Sequence, residues 1–514
     1  MDKKIKVLSI VLCFIMMLTS FQINTKETKA AASFAYGADV GWLNQLENSG
    51  VTWVDDYGYT KDALQILKDH GIDSIRLRLF VNPPTNFTWT KKDGTICILG
   101  YADTAGLLYM AERAKSMGFR IMVDFHYSDH FADPAYQDIP SAWSTHDFTQ
   151  LKKDVYDHTY YIMSQLAAKG IYPEWVQVGN EINSGMLLPY GKSSNNFSQL
   201  AELLNSGYDA VKAVSSSTKV VTHLADGNNN TTFRWFFDNF ITKYGGKTDV
   251  IGMSYYPYWI GSDYTQSINY LENNLNDMVS RYNKEVMVCE VGGIETNPTN
   301  TYNLLKATIE KVKAVPNGKG LGVFYWEPEA NSSVLPDSYK LGATSVVSGK
   351  KLKFTTAIDA FYDCRYNSSS LDTGKTYKII NRLSGKAINV RGGSTSNGAV
   401  LEQYSYGAWS SQKWTFSLNS SGYYTVKSVL SSKVMDVSGS STSDGASVIQ
   451  YTLNNGNNQQ WSLVSTGDGY YKMINRRSGK LLAVGNSSTE EGASLVQQTD
   501  TNAWNQMWSL EIVN

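Results

Sequence analysis

The chain has 514 residues and a formal net charge of −1. That length exceeds one ordinary hydrophobic core and predicts two or more domains. With no Lys/Arg cluster beyond the N-terminal tip, the charge balance argues against nucleic acid or another polyanion as a partner. The 33 Tyr and 13 Trp suit either an aromatic-rich core or stacking on the apolar faces of sugar rings.

Lys3, Lys4 and Lys6 precede an apolar stretch from Val7 to about Leu18, and Ala30, Ala31 and Ala32 follow a polar segment. This is the pattern of a secretory signal over residues 1–32, with an apolar run short for a membrane span. No later segment reads as transmembrane, so an extracellular protein with no membrane partner is expected. Beyond the signal remain Cys97, Cys289 and Cys364. An odd number in an oxidising compartment leaves at least one thiol unpaired, and a Cys97–Cys364 bridge is one way to pair the other two. Cys289 lies in an apolar run and reads as a small buried hydrophobe rather than a nucleophile. The cysteine spacing is not that of a metal site, and no cofactor is expected.

From residue 34 to about 362, short apolar runs alternate with helical patterns. The runs occupy 34–40, 74–80, 120–127, 175–182, 219–226, 249–256, 286–293 and 321–328. Gly71, Gly118 and Gly170 each stand where a left-handed residue would close the preceding helix. Near-continuous apolar strands fit a parallel sheet covered on both faces. Eight such units in about 330 residues predict an α/β (β/α)8 TIM barrel. No glycine-rich phosphate loop follows the first run, which disfavours a nucleotide-binding doubly wound sheet. A barrel places its functional residues where strands end. Asp39, Arg78, Asp124, His126, Asn180, Glu181, His223, Tyr255, Tyr256, Glu290, Trp326 and Glu327 all fall at or near such ends.

Two of these carry the chemistry. Glu181 and Glu290 close the fourth and seventh runs. Most strand-end acids are solvated or salt-bridged, but two presented at one barrel mouth suit cleavage of a glycosidic bond. One carboxyl protonates the leaving oxygen while the other attacks or activates water.

After Cys364 the composition turns to Ser, Gly, Asn and Tyr, with a Ser-rich joint at 368–370. Segments 377–390, 424–437 and 471–484 then repeat at a 47-residue spacing, and each unit closes with Gln-x-Trp at Gln412/Trp414, Gln459/Trp461 and Gln506/Trp508. Units this small cannot bury a core alone and should pack about a pseudo-threefold axis. The pattern resembles the ricin-type β-trefoil. The resemblance implies a sugar pocket built from an Asp, an aromatic platform and an Asn or Gln. Carried along the repeat, those positions hold Asn389, Tyr404 and Ser411, then Asp436, Tyr451 and Asn458, then Ala483, Gln498 and Asn505. One competent site is expected, in the middle repeat at Asp436, Tyr451 and Asn458, with the first weak and the third dead. The Gln and Trp of Gln-x-Trp are expected to be core support. The expected layout is a signal at 1–32, an enzyme barrel at 33–366, a linker at 367–373 and an all-β trefoil at 374–514.

Asn180-Glu181 on the fourth strand and Glu290 on the seventh resemble the retaining barrel glycosidases of clan A. Stretches 37–47, 75–83, 124–134, 176–187, 234–239, 250–259 and 320–328 narrow the likeness to glycoside hydrolase family 53, the endo-β-1,4-galactanases acting on type I arabinogalactan. The resemblance implies that Glu181 is the general acid/base and Glu290 the nucleophile. Glu290 would be kept ionised by donors such as Arg78 or a sixth-strand tyrosine. Asn180 would contact the sugar 2-hydroxyl, and Asp39, Arg78, His126, Tyr255, Tyr256 and Trp326 would form the substrate-binding walls. The family usually continues its nucleophile as Glu-Thr-(Ala/Ser)-Tyr-Pro, whereas Glu290 is followed by Val291-Gly292-Gly293. An aromatic and a hydroxyl are thus missing beside the scissile bond. A related β-1,4-glycanase of altered specificity, for instance on mannan, is one alternative, and an inactive polysaccharide-binding lectin is another. No metal is expected, because the stretch after Glu290 is short. The expected partner is plant cell-wall galactan, met by a monomer.

Overall fold

In the computed structural model, residues 34–56, 58–366, 371–419, 422–466 and 470–513 are described. The expected signal and the Ser-rich joint at 368–370 lie outside them.

The eight apolar runs form eight strands: β1 (Ala35–Asp39), β2 (Ser74–Leu79), β3 (Arg120–Phe125), β4 (Trp175–Val178), β5 (Lys219–Leu224), β6 (Val250–Tyr255), β7 (Glu285–Val291) and β8 (Gly320–Trp326). Each pairs in parallel with its neighbours, and β1 pairs with both β2 and β8, so the sheet closes into a barrel. Side chains alternate along a strand, so every second residue enters the barrel. Ala35, Met122, Trp175, Val221, Val250, Met287, Cys289, Leu321 and Phe324 fill its lower interior. Two positions higher the inward layer turns polar, with Arg76, Asp124, Gln177 and His223 all buried. The outward faces pack under a ring of helices. Three of these, Ala63–Asp69, Thr104–Ser116 and Phe148–Ala168, are followed by Gly71, Gly118 and Gly170 at φ 91°, 79° and 68°. The sequence placed these stops correctly.

Besides the short ribbon Gly185–Met186 with Gly191–Lys192, the barrel carries two pieces that apolar periodicity did not reveal. One is a sheet of four short strands, Thr52–Val54, Thr60–Lys61, Thr344–Ser348 and Lys351–Phe354. The other is the hairpin Thr88–Thr90 with Ile96–Ile98. Both are shorter than the window in which alternation can be read. Cys97, Cys289 and Cys364 are each buried and free, so the bridge weighed for Cys97 and Cys364 does not form.

Residues 376–513 make the all-β second domain. In it, the first and last strands of the three units pair as Thr376–Asn381 with Trp508–Val513, Trp414–Leu418 with Tyr424–Ser428, and Trp461–Ser465 with Tyr471–Asn475. Three further hairpins cap them: Ala387–Val390 with Leu401–Tyr404, Val434–Val437 with Val448–Tyr451, and Leu481–Val484 with Leu495–Gln498. The threefold repeat is explicit in its buried amides. Gln403, Gln450 and Gln497 each donate to two backbone carbonyls of another repeat, at Ser488/Glu490, Ser394/Ser396 and Ser441/Ser443. Trp414, Trp461 and Trp508 are fully buried in one core. The helix Asp359–Tyr366 ends the barrel, and its Tyr362 hydroxyl donates to Ser462 Oγ at 3.1 Å.

Candidate active site and lectin site

The C-terminal strand ends and the loops beyond them enclose a cleft of about 600 Å3. Glu181, Glu290, Asn180, His126, Tyr256 and Trp326 all line it. The barrel thus brings six of the nine barrel residues expected from sequence to one place. Asp39, Arg78 and Tyr255 are not in its walls.

Each of these three is displaced for a definable reason. Tyr255 is the last residue of β6 and its side chain points outward, where its hydroxyl lies 2.8 Å from Ser267 Oγ on the helix Tyr264–Tyr282. Tyr256, one residue on, faces inward. Asp39 is fully buried and bonded to Arg76 Nη1 at 2.6 Å and to Arg78 Nη1 at 3.3 Å. Arg78 pairs with Glu327 as well, and its guanidinium lies 5.4, 4.9 and 5.8 Å from the ring centres of Trp42, Phe131 and Trp326. It braces the aromatic wall from behind instead of facing the cleft.

The cation that holds Glu290 is Arg76, not the expected Arg78. Arg76 is almost fully buried, and its Nη2 lies 2.9 Å from Glu290 Oε1 and 2.9 Å from Asp124 Oδ2. The signal was available: Arg76 and Arg78 are two apart on one strand, so alternation sends both to the inner face. Tyr256 donates to Glu290 Oε2 at 3.1 Å. Burial, with Asp39 and Asp124 nearby, raises the Glu290 carboxyl above its ordinary range, while Arg76 and Tyr256 pull it back.

Glu181 has different surroundings. It is half-buried and sits just past β4 at φ 44°, ψ 51°, a left-handed conformation costing a non-glycine residue about 1–3 kcal/mol. Burial first, and the negative charge of Glu290 second, push its carboxyl well above the ordinary range. The nearby Ser254 hydroxyl opposes this rise, and the charges of Asp133 and Asp226 add to it. Of the two carboxyls, Glu181 therefore keeps its proton longer, while Glu290, held by a guanidinium and a phenol, gives its proton up first.

Asn180 Oδ1 accepts from Arg76 Nη2 at 2.9 Å and Gln177 Nε2 at 2.9 Å, and its Nδ2 donates to the Ala132 carbonyl at 2.8 Å. One amide hydrogen is left for a ligand. His126 Nδ1 accepts from the Ala132 N–H at 2.9 Å, and its Nε2 lies 2.9 Å from Asp124 Oδ2. Both ring nitrogens are taken, so His126 offers the cleft its ring and not a donor. Trp326 packs edge-on to Trp42 and Tyr339, each 4.8 Å away between ring centres.

Val291, Gly292 and Gly293 do not line the cleft. A side chain at Gly292 would come within 3.2 Å of Tyr256 and Tyr325, and one at Gly293 within 2.5 Å of Thr301. These glycines let aromatic neighbours close over β7, and Tyr339, from the loop after β8, joins the cleft wall with Trp42 and Phe131. An aromatic hydroxyl is thus brought to the site from a distant segment, where local spacing could not show it. Among the described residues, no group of three or more His, Cys, Asp or Glu is placed to hold a metal ion.

In the middle repeat of the second domain, Asp436 Oδ2 accepts from Gln459 Nε2 at 2.8 Å, and Tyr451 is 41% exposed. Burial raises the Asp436 carboxyl, and the Gln459 hydrogen bond, with the nearby Asn458 amide, opposes this. In the first repeat Asn389 Nδ2 is spent on Glu402 Oε1 at 3.0 Å, and in the third Ala483 supplies no acceptor. Asn458 and Asn505 both donate backward to the backbone, at Val437 and Val484, so this Asn position is partly structural. Gln412, Gln459 and Gln506 clamp their own loops, donating to the carbonyls of Ser405, Thr452 and Thr499. That is the supporting role expected of Gln-x-Trp.

A closed parallel barrel with two unlike carboxyls at its C-terminal mouth, joined to a trefoil, defines a glycoside hydrolase with a lectin-like module. Residues 35–361 match the family model described as glycosyl hydrolase family 53, and the chain belongs to that family. Residues 365–451, 410–498 and 457–514 match the ricin-type beta-trefoil lectin domain-like model. An arabinogalactan endo-beta-1,4-galactanase of Cellvibrio japonicus is 35% identical over 57% of this chain and 80% of its own. A probable arabinogalactan endo-beta-1,4-galactanase A of Aspergillus terreus is 33% identical over 58% of this chain and 87% of its own. Among solved structures, a fungal beta-1,4-galactanase aligns with TM-score 0.55 at 26% identity, over 64% of this chain and 99% of its own. The family 53 catalytic domain of Ignisphaera aggregans aligns with TM-score 0.54 at 27% identity, over 64% of this chain and 95% of its own.

Proposed function

We propose that the protein is a secreted, monomeric, endo-acting and retaining β-1,4-galactanase that cuts the galactan of type I arabinogalactan in plant cell walls. Glu181 is its general acid/base and Glu290 its nucleophile. The observation carrying this reading is the unequal setting of two carboxyls on one cleft, Glu290 anchored by Arg76 and Tyr256 and Glu181 held protonated by burial and by Glu290 itself. The names of the Cellvibrio and Aspergillus relatives support the substrate. Asn180 offers its free amide hydrogen to a sugar hydroxyl, and Trp326 with its aromatic neighbours offers a stacking wall. The middle repeat of the trefoil, through Asp436 and Tyr451, keeps the enzyme on the polysaccharide.

Reducing-sugar release from a panel of purified β-glycans tests the substrate. Galactan is expected to be cut, and turnover of mannan without galactan would overturn the reading. For the roles, Glu290→Ala is expected to lose turnover and to regain part of it with azide, giving the inverted glycosyl azide. The same inverted product from Glu181→Ala alone would reverse the assignment.

A further inference from the structure

Beyond β5 the chain turns at Asp226 with φ 60°, a left-handed conformation that glycine adopts at lower cost. The turn does not need this side chain. Its bonds are made by the backbone: the Gly227 N–H donates to the Ser254 carbonyl at 2.8 Å, and the Asn229 N–H to the Asp226 carbonyl at 2.8 Å. The helix that follows, Asn230–Phe237, is capped by Asn229, whose side chain accepts from the Thr232 N–H. Asp226 itself is exposed and lines the cleft, and among the described residues no hydrogen bond or ion pair reaches its carboxylate. Lys91 and Lys340 line the same cleft and leave it unpaired. Partial burial raises the carboxyl, and no donor or cation opposes the rise. The other two aspartates of the cleft are engaged, Asp133 with the N–H groups of Ala135 and Tyr136, and Asp337 with the N–H of Tyr339.

The Asp226 turn is mounted on the one that carries Glu181. Asn183, two residues past Glu181, accepts from the Ala225 N–H at 2.7 Å and donates to the Ala225 carbonyl at 3.2 Å. One side-chain amide thus fixes the residue before Asp226 from both its polar groups. In the barrel β5 pairs with β4, and β6 stands between β5 and the strand of Glu290. Asp226 therefore belongs to the Glu181 side of the cleft.

We propose that Asp226 is a substrate-binding residue for the leaving half of the chain, where its carboxylate accepts hydrogen bonds from the hydroxyls of the sugar beside Glu181. This rests on the galactanase reading and on Glu181 being the acid/base. The acid delivers its proton to the oxygen of the leaving group, so a carboxylate fixed next to the acid meets the sugar that departs. An ionised carboxylate only accepts, and a sugar ring supplies hydroxyl donors. Bonds from a hydroxyl to an ionised acceptor are stronger than bonds between neutral groups. An acceptor left open in the unliganded cleft, on a turn held rigid by its neighbours, is already placed before the sugar arrives.

The test compares Asp226→Ala with the unaltered full chain on two substrates, galactan and an aryl β-1,4-galactobioside whose leaving group is a phenol and not a sugar. kcat/KM on galactan is expected to fall roughly tenfold to a hundredfold more than on the aryl substrate, the loss of a hydrogen bond to a charged group. Asp226→Asn keeps one acceptor and should recover part of the difference. An equal loss on both substrates, or none on galactan, would overturn the proposal. Asp226→Gly is relieved of the left-handed strain and should melt no lower than the unaltered protein while losing galactan turnover. A lower melting temperature in that variant would show that the side chain serves the fold and would overturn the proposal as well. If the unaltered protein cuts no glycan of the panel, the proposed activity and this role fall together. If it is active and the ratio between the two substrates does not change, this role alone is refuted.

Discussion

At the scale of single residues, the site turns on which of two adjacent side chains faces inward. Tyr255 and Tyr256 cannot be told apart as residue types, and only the end of β6 decides between them. Tyr256→Phe removes a donor that favours ionised Glu290, so the nucleophile should protonate at higher pH. The acidic limb of the rate profile is expected to move upward, with kcat falling, as read from initial rates between mildly acidic and neutral pH. Tyr255→Phe should leave the limb in place and cost about 1 kcal/mol of stability through its lost bond to Ser267. The same limb shift in both variants would contradict the geometry. Arg76 illustrates the reverse case: its type and register were legible, but nothing local ranks it above its neighbour Arg78. The choice was settled by three carboxylates at hydrogen-bonding distance, Asp39, Asp124 and Glu290.

At the scale of elements, the two domains differ in how openly the chain declares them. The trefoil repeats itself, so its strands and its Gln-x-Trp clamps were readable by comparing the sequence with itself, and the same comparison ranks its three pocket positions. Asp436→Ala is expected to abolish binding to insoluble polysaccharide in a pull-down, while Asn389→Ala, whose amide is already tied to Glu402, leaves it intact. The opposite ranking would mean that the first repeat is the working one. In the barrel, β1 and β8 close against each other because Gly37 and Gly322 carry no side chain. A Cβ at Gly37 would fall 2.1 Å from the Phe324 ring. Gly37→Ala should therefore cost about 1–3 kcal/mol by overpacking, measurable as a lower midpoint of denaturant unfolding. Strand positions were visible from their apolar runs, and closure was legible only through their count of eight, since no local signal marks the β1–β8 pairing.

At the scale of the whole molecule, the concentration of buried acids under the cleft sets a pH dependence of stability. Glu181, Glu290, Glu327 and Glu329 are all raised, chiefly by burial. A carboxyl raised in the fold binds its proton more tightly there than in the unfolded chain, so the stability it lends is present at low pH and is lost as pH rises through the folded value. Asp124 runs the other way. It is driven down to about 2 by Arg76 and His126 against the cost of burial, so its contribution is present above the ordinary carboxylate range and is lost as pH falls towards that value. The two trends cross, and thermal stability should peak near pH 4, declining as pH rises from the ordinary glutamate value of 4.5 through about 7 and, on the other side, as pH falls below the ordinary aspartate value of 3.8 towards about 2. A melting series across that range checks it, and a maximum above neutrality would show that the buried acids do not govern stability.

The sequence by itself determined the eight strands, the three repeats, the helix stops at Gly71, Gly118 and Gly170, and the two glutamates at strand ends. These are local: periodicity, turn chemistry and self-similarity act over a few residues or at a constant interval. Only the tertiary structure decided that Arg76 rather than Arg78 holds Glu290, that Tyr256 rather than Tyr255 faces the cleft, that Asp39 is a buried counter-ion, and that Tyr339 completes the wall left open after Glu290. Those outcomes depend on distances between strands far apart in the chain and on competition among buried charges for few partners, which no stretch of sequence contains.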